Sequence, residues 1–132
     1  MVNTKTHNKT VGILSLQGDF HEHEAVLQKI GVKTKQVRLP KDLETIDRLI
    51  IPGGESTTML KLLNRFSMID ALKDFAKTNA VWGVCAGSIL MSRKVSNPAQ
   101  ESLNLIDIDV ERNAYGRQQE SFSVPLAGNA EV

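Results

Sequence analysis

Residues 80–87 read AVWGVCAG, and this stretch decides the fold. Its first half is a short run rich in apolar residues, which is typical of a buried strand. Gly83 and Gly87 then flank Cys85 in the order G-x-C-x-G, and residues 86–95 continue as AGSILMSRKV. The stretch predicts a strand over residues 80–84, a sharp turn at Cys85 and a helix over residues 86–95.

The turn at Cys85 has the form of a nucleophile elbow with a cysteine at its tip. Glycines on both sides let the chain turn sharply and leave room around the side chain. The sulfur would stand at the N-terminus of the following helix, where the partial positive charge favours the nucleophilic thiolate. The N–H of Ala86 would then point towards a developing oxyanion. The alternative is an inert core cysteine, which the glycines and the strand–helix context disfavour.

A second glycine-rich stretch, PGGES at residues 52–56, follows a short apolar strand predicted over residues 48–51. Paired glycines adopt backbone geometry closed to other residues and expose their N–H groups to a ligand. The Gly54 N–H is therefore a candidate to complete an oxyanion hole with that of Ala86. The alternative is an ordinary turn before a helix, with Ser56 as the N-cap.

The remaining sequence alternates between strand and helix patterns. Asp19 and Glu22 have capping-box spacing at the start of one predicted helix, and Gly31 ends it. Further strands are predicted over residues 11–16, 32–38, 103–110 and 119–124, and further helices over residues 57–66 and 67–77. This order predicts a three-layer α/β/α fold with a mostly parallel central sheet, in which sites form at the carboxyl ends of the strands.

Composition limits the class of protein. The 132 residues are enough for one domain, expected over residues 11–132 after a disordered polar tail at 1–10. The net charge of +1 gives no reason to expect nucleic acid as a partner, and no apolar run approaches the length of a membrane helix. A single cysteine cannot form an internal disulfide, so we expect a cytoplasmic protein.

Four stretches together resemble one family, the class I (triad-type) glutamine amidotransferases, and within it the glutaminase subunits of pyridoxal 5′-phosphate synthase. The fourth stretch is the most specific, because class I glutaminases in general do not carry it. The stretches are LQG at residues 16–18, PGGESTTM at 52–59, GVCAG at 83–87 and VERNAYGRQ at 110–118.

The resemblance implies hydrolysis of L-glutamine to glutamate and ammonia, with the ammonia passed to a (β/α)8-barrel synthase subunit. It implies that Cys85 is the nucleophile, that Gly53, Gly54 and Glu55 bind the substrate, and that Arg112 contacts the substrate. A guanidinium suits a carboxylate, although a loop arginine is more often a solvated surface charge. The resemblance implies neither a metal nor a cofactor.

Other positions are less determined. Gln17 lies in the family's N-terminal loop and is expected either in the site or at an interface. The family's triad takes its histidine and glutamate from a His-Pro-Glu segment, and Val132 is reached before such a segment occurs. His7, His21 and His23 are the histidines present, and we expect none to be catalytic.

We therefore expect a C-terminally truncated domain that lacks the triad histidine and glutamate and is inactive by itself. One alternative is a non-catalytic module that only binds the synthase or glutamine. Another is a different cysteine-elbow enzyme, such as a peptidase, which residues 111–118 disfavour.

Overall fold

The computed structural model describes residues 9–115 and residue 123. The predicted disordered tail falls mostly, and the predicted strand at 119–124 almost entirely, outside these residues. The strands are β1 (Thr10–Leu14), β2 (Lys33–Val37), β3 (Arg48–Ile51), β4 (Ala80–Gly83), β5 (Lys94–Ser96) and β6 (Asp109–Glu111). The α-helices are α1 (Phe20–Lys29), α2 (Ser56–Arg65), α3 (Met68–Ala76) and α4 (Ala86–Met91), and Pro40–Thr45 forms a 3-10 helix.

The main sheet has four parallel strands in the order β2-β1-β3-β4. Its register aligns Ile13 with Ile50 and Ile50 with Trp82, so these three side chains share one face. β5 and β6 form a separate parallel pair. Because all four main strands run the same way, their carboxyl ends meet at one edge of the sheet. The predicted fold class, a mostly parallel sheet flanked by helices, is confirmed.

Most of the core lies on one face of this sheet. Leu14, Leu49 and Ile51 point into it from β1 and β3. Helices α2, α3 and α4 cover them, and the fully buried residues they contribute are Met59, Leu63, Met68, Leu72 and Leu90. Each such side chain stabilises the fold by roughly 1.5–3 kcal/mol. The opposite face carries α1, which has no buried residue, and leaves Trp82 60% exposed.

The helix after Cys85 is shorter than predicted. It ends at Met91. Ser92 is extended, and its hydroxyl donates a hydrogen bond to the Ile89 carbonyl. β5 takes up residues 94 and 95, which were predicted as helix, together with Ser96, because the three pair with β6. That pairing partner lies more than ten residues further along the chain, so the local pattern does not reveal it.

The strand predicted over residues 103–110 is also largely wrong, since β6 covers only Asp109–Glu111. The N–H groups of Leu103, Leu105 and Ile106 instead bond to the last carbonyls of α4, at Leu90 and Met91. A helix end leaves such carbonyls without intrahelical partners. This segment satisfies them, and Leu103 is only 1% exposed as a result.

Two smaller points complete the fold. Asp19 begins α1 without a side-chain cap hydrogen bond, so the capping box predicted with Glu22 is not formed. Within residues 9–115, no helix has both the length and the apolar character to cross a bilayer.

Candidate active site

Cys85 stands on the turn between β4 and α4, at the carboxyl edge of the sheet. Its backbone has φ 50° and ψ −108°, and its side chain is exposed. A non-glycine residue with positive φ carries a strain of roughly 1–3 kcal/mol. Hydrogen bonds on both sides of the turn hold it: Gly87 N–H to Val84 O at 2.8 Å, and Ile89 N–H to Cys85 O at 3.1 Å.

The two elbow glycines permit close packing of α4 on the sheet. A β-carbon on Gly87 would lie 2.1 Å from the Ile51 carbonyl oxygen, and one on Gly83 would lie 2.7 Å from the Gly87 carbonyl carbon. Both distances are below any real contact of a β-carbon. The glycines at these positions therefore let α4 lie directly against β3 and β4, which fixes the position of Cys85.

The glycine loop after β3 lies beside the elbow. A β-carbon on buried Gly53 would be 3.6 Å from the Cys85 β-carbon, so the two motifs meet as the sequence predicts. Within the described part of the chain, neither the Gly54 N–H nor the Ala86 N–H donates a hydrogen bond to a protein acceptor. Free N–H groups beside a nucleophile are what an oxyanion hole requires.

The loop after β1 packs onto the glycine loop. Gln17 Oε1 accepts the Glu55 N–H at 2.9 Å, and the Asp19 N–H donates to Gly53 O at 2.9 Å. Gly18 has φ +96°, and a β-carbon there would lie 2.0 Å from Gly53 O. Gln17 therefore supports the glycine loop at Glu55 and lies beside Gly54, where a β-carbon would be 2.5 Å from its Oε1.

Glu55 is the N-cap of α2. Its carboxylate accepts the N–H groups of Thr57 at 3.1 Å and Thr58 at 2.7 Å, and also the Thr58 hydroxyl at 2.7 Å. These hydrogen bonds, the Thr58 hydroxyl foremost, lower the pKa of Glu55 from 4.5 to about 2. The alternative with Ser56 as the cap is wrong, because the carboxylate one residue earlier reaches both N–H groups.

Arg112 reaches the same loop from the end of β6. Its Nη1 donates to Gln100 Oε1 at 2.8 Å and to Thr57 Oγ1 at 3.2 Å, and its Nη2 lies 3.7 Å from Glu55 Oε1. The side chain is 21% exposed, so it is held and not freely solvated. Gln100 and Thr57 were not predicted as site residues from the sequence. Thr57 stands within the glycine-loop stretch, but no sequence signal marks Gln100.

The histidines within the described residues lie on α1. His21 contacts the Phe20 ring at 4.3 Å between centroids, and His23 meets Trp82 edge-on at 6.0 Å. None of the described contacts joins either histidine to Cys85. His7 lies outside the described residues, and the expectation that none of the three is catalytic stays a prediction.

Known proteins provide an independent comparison. The model of the SNO glutamine amidotransferase family matches residues 13–127. The pyridoxal 5′-phosphate synthase subunit PdxT of Solibacter usitatus is 56% identical over 113 residues, which are 86% of this chain and 59% of that protein. The subunit of the same name from Roseiflexus sp. is 53% identical over 120 residues, covering 89% of this chain and 64% of that protein.

Solved structures agree on the fold. A crystal structure of a glutamine amidotransferase matches with a TM-score of 0.75 and 42% identity, over 85% of this chain and 61% of that one. A putative peptidase E from Listeria monocytogenes, at 18% identity and a TM-score of 0.63, shares the fold alone. This chain spans less than two thirds of each of these proteins. The family model covers most of the chain, and the two PdxT subunits share more than half of the aligned residues with it. The chain therefore belongs to the SNO glutamine amidotransferase family.

Proposed function

We propose that this chain carries the glutamine-hydrolysing site of a pyridoxal 5′-phosphate synthase and delivers ammonia to the synthase subunit. The observation that carries the proposal is the meeting of the Cys85 elbow with a glycine loop whose Gly54 N–H donates to no acceptor among the described residues. The relatives named PdxT support the synthase as partner. They also favour a glutaminase over a module that only binds. The single cysteine of the chain fits a reducing, cytoplasmic setting.

The reaction begins with attack of the Cys85 thiolate on the side-chain amide carbon of glutamine. The amide oxygen becomes an oxyanion, which the N–H groups of Ala86 and Gly54 stabilise. Collapse of this intermediate breaks the C–N bond, and a proton goes to the departing ammonia. Water then hydrolyses the γ-glutamyl thioester to glutamate and frees the thiolate. From the family resemblance, we assign both proton transfers to the histidine of a His-Pro-Glu segment.

Substrate binding is assigned to the loop around the elbow. The backbone of Gly53 and Gly54 lines the approach to Cys85, and the Arg112 guanidinium pairs with the α-carboxylate of glutamine. The Glu55 carboxylate is occupied by the cap of α2, so its contribution to binding is to fix the loop and Arg112. Gln17 supports the same loop through the Glu55 N–H.

The test combines labelling with turnover. A glutamine-like diazo-ketone should modify Cys85, and L-glutamine should slow the modification. Ammonia release is then measured with and without the synthase barrel subunit, for residues 1–132 and for a chain extended through the His-Pro-Glu segment. We expect turnover from the extended chain and none from residues 1–132. Labelling that ignores added glutamine would overturn the proposal.

A further inference from the structure

The side chain of Gln100 lies between the start of α2 and Arg112. Its Oε1 accepts Arg112 Nη1 at 2.8 Å and the Ser56 hydroxyl at 3.4 Å. Its Nε2 is buried, and no described residue accepts a hydrogen bond from it. The orientation of the amide is set by Arg112, because a guanidinium can only donate and therefore has to face the amide oxygen.

An unsatisfied buried N–H group is costly, so its presence calls for an explanation. A carboxylate in place of the amide would remove that donor and would still accept from Arg112 and Ser56. It would also place a second negative charge beside the guanidinium, which already has the Glu55 carboxylate 3.7 Å away. The guanidinium would then be neutralised from within the protein. A neutral acceptor fixes Arg112 and leaves its positive charge available to a ligand.

We propose that Gln100 is a positioning residue that orients Arg112 for the α-carboxylate of the amino-acid substrate without neutralising its charge. The inference rests on the proposed function, since it takes Arg112 as the carboxylate-binding group. Ser56 extends the same arrangement: it is 3% exposed, and its hydroxyl holds the Gln100 oxygen from the α2 side.

The test uses residues 1–132 and a chloromethyl-ketone analogue of L-glutamine that keeps the α-amino and α-carboxylate groups. Cys85 sulfur displaces chloride: the C–S bond forms, the C–Cl bond breaks, and the thiol proton goes to solvent. The dependence of the labelling rate on probe concentration separates the apparent dissociation constant KI from the maximal rate. For Gln100→Leu we expect KI to rise about tenfold, which is typical for a disturbed charged hydrogen bond, with the maximal rate little changed.

Gln100→Glu is the second variant, and it keeps the shape and the acceptor. We expect KI to rise in this variant too, because the added charge neutralises Arg112. In an Arg112→Ala background, the extra effect of Gln100→Leu should vanish, as expected for a residue that acts through the arginine. If Gln100→Leu does not fold, the comparison of KI between Gln100→Glu and the wild type decides: a raised KI supports the inference and an unchanged KI overturns it.

Gln36→Leu is the matched control, because Gln36 also accepts from an arginine, Arg38 Nη2 at 2.6 Å, on the edge strand β2. It should leave KI unchanged. Iodoacetamide, which lacks the α-carboxylate, should label Cys85 equally fast in all Gln100 variants. Suppose that labelling of the wild type saturates with probe concentration and is slowed by L-glutamine. An unchanged KI in Gln100→Leu then overturns this inference and leaves the proposed function standing. If labelling of the wild type neither saturates with probe concentration nor slows with L-glutamine, the proposed function is overturned, and the inference with it.

Discussion

Replacing Gly87 with alanine puts a β-carbon where α4 meets the sheet. The ideal position lies 2.1 Å from the Ile51 carbonyl oxygen and 2.8 Å from its carbon. Since an ordinary carbon–oxygen approach is about 3.3 Å, α4 has to move away from β3 by about 1 Å. The obstructing atoms belong to the backbone of a central strand, so no side-chain rotation relieves the clash.

That movement loosens the packing of α4, in which Ala86 is 2% exposed and Leu90 fully buried. Overpacking of this kind usually costs about 1–3 kcal/mol, and a backbone obstacle should put Gly87→Ala at the upper end, about 3 kcal/mol. The same movement releases the strained turn at Cys85, so labelling of Cys85 by the glutamine-like electrophile should slow as well.

Urea unfolding followed by far-UV circular dichroism measures the loss of free energy. Gly31→Ala is the matched control: Gly31 has φ +83° but nothing within 4 Å of an added β-carbon. Its cost should therefore be only that of the left-handed backbone, about 1–2 kcal/mol. Equal losses of unfolding free energy in the two variants would refute the packing argument, because they would mean that α4 adjusts to the added β-carbon without further cost.

Three further outcomes are expected. Cys85→Ser should keep the circular dichroism spectrum but release no ammonia in the extended chain with the proposed synthase partner, because a hydroxyl ionises far less readily than a thiol; measurable turnover would contradict the nucleophile assignment. Gly54→Val should lower the rate of ammonia release by about 10²–10³ if its N–H is an oxyanion donor, and an unchanged rate would reduce the loop to a simple turn. Glu55→Gln should lower the stability at pH 7 by about 0.5–1 kcal/mol, a small value since the carboxylate is half exposed. The folded pKa of Glu55 is about 2, below the ordinary 4.5, so this difference should persist above pH 4.5 and fade as the pH drops towards 2; a difference that grows on acidification would disprove the cap.

The parts of the fold that the sequence predicted are those with a local signal. Strands β1, β3 and β4 are short apolar runs, and α2 shows one apolar face through Met59 and Leu63. The end of α4 has no such signal. Residues 94–96 are a strand only because β6 pairs with them, and residues 103–106 are irregular because they satisfy the carboxyl end of α4.

In the candidate site, too, the features with a local sequence signal were predicted and those without one were not. Cys85 and Gly53 were expected to meet because both follow strands of one parallel sheet, and they do. The hydrogen bonds of Arg112 span 55 residues to Thr57 and 12 residues to Gln100. Side-chain partners at such separations leave no periodic trace in a single sequence. The N-cap rule also favoured the Ser56 hydroxyl over the longer Glu55 carboxylate, which the loop geometry selects.

The position of Glu55 has an entropic consequence for ligand binding. Its carboxylate is tied to the first turn of a helix whose Met59 and Leu63 have no exposed surface. A side chain that a ligand has to immobilise costs roughly 0.5–1.5 kcal/mol, whereas one ordered on folding costs nothing further at that moment. If the proposed function holds, glutamine meets a segment whose conformational freedom was already lost on folding. Amide hydrogen exchange in the first turn of α2 should accordingly be as slow in the free protein as in the protein saturated with glutamine.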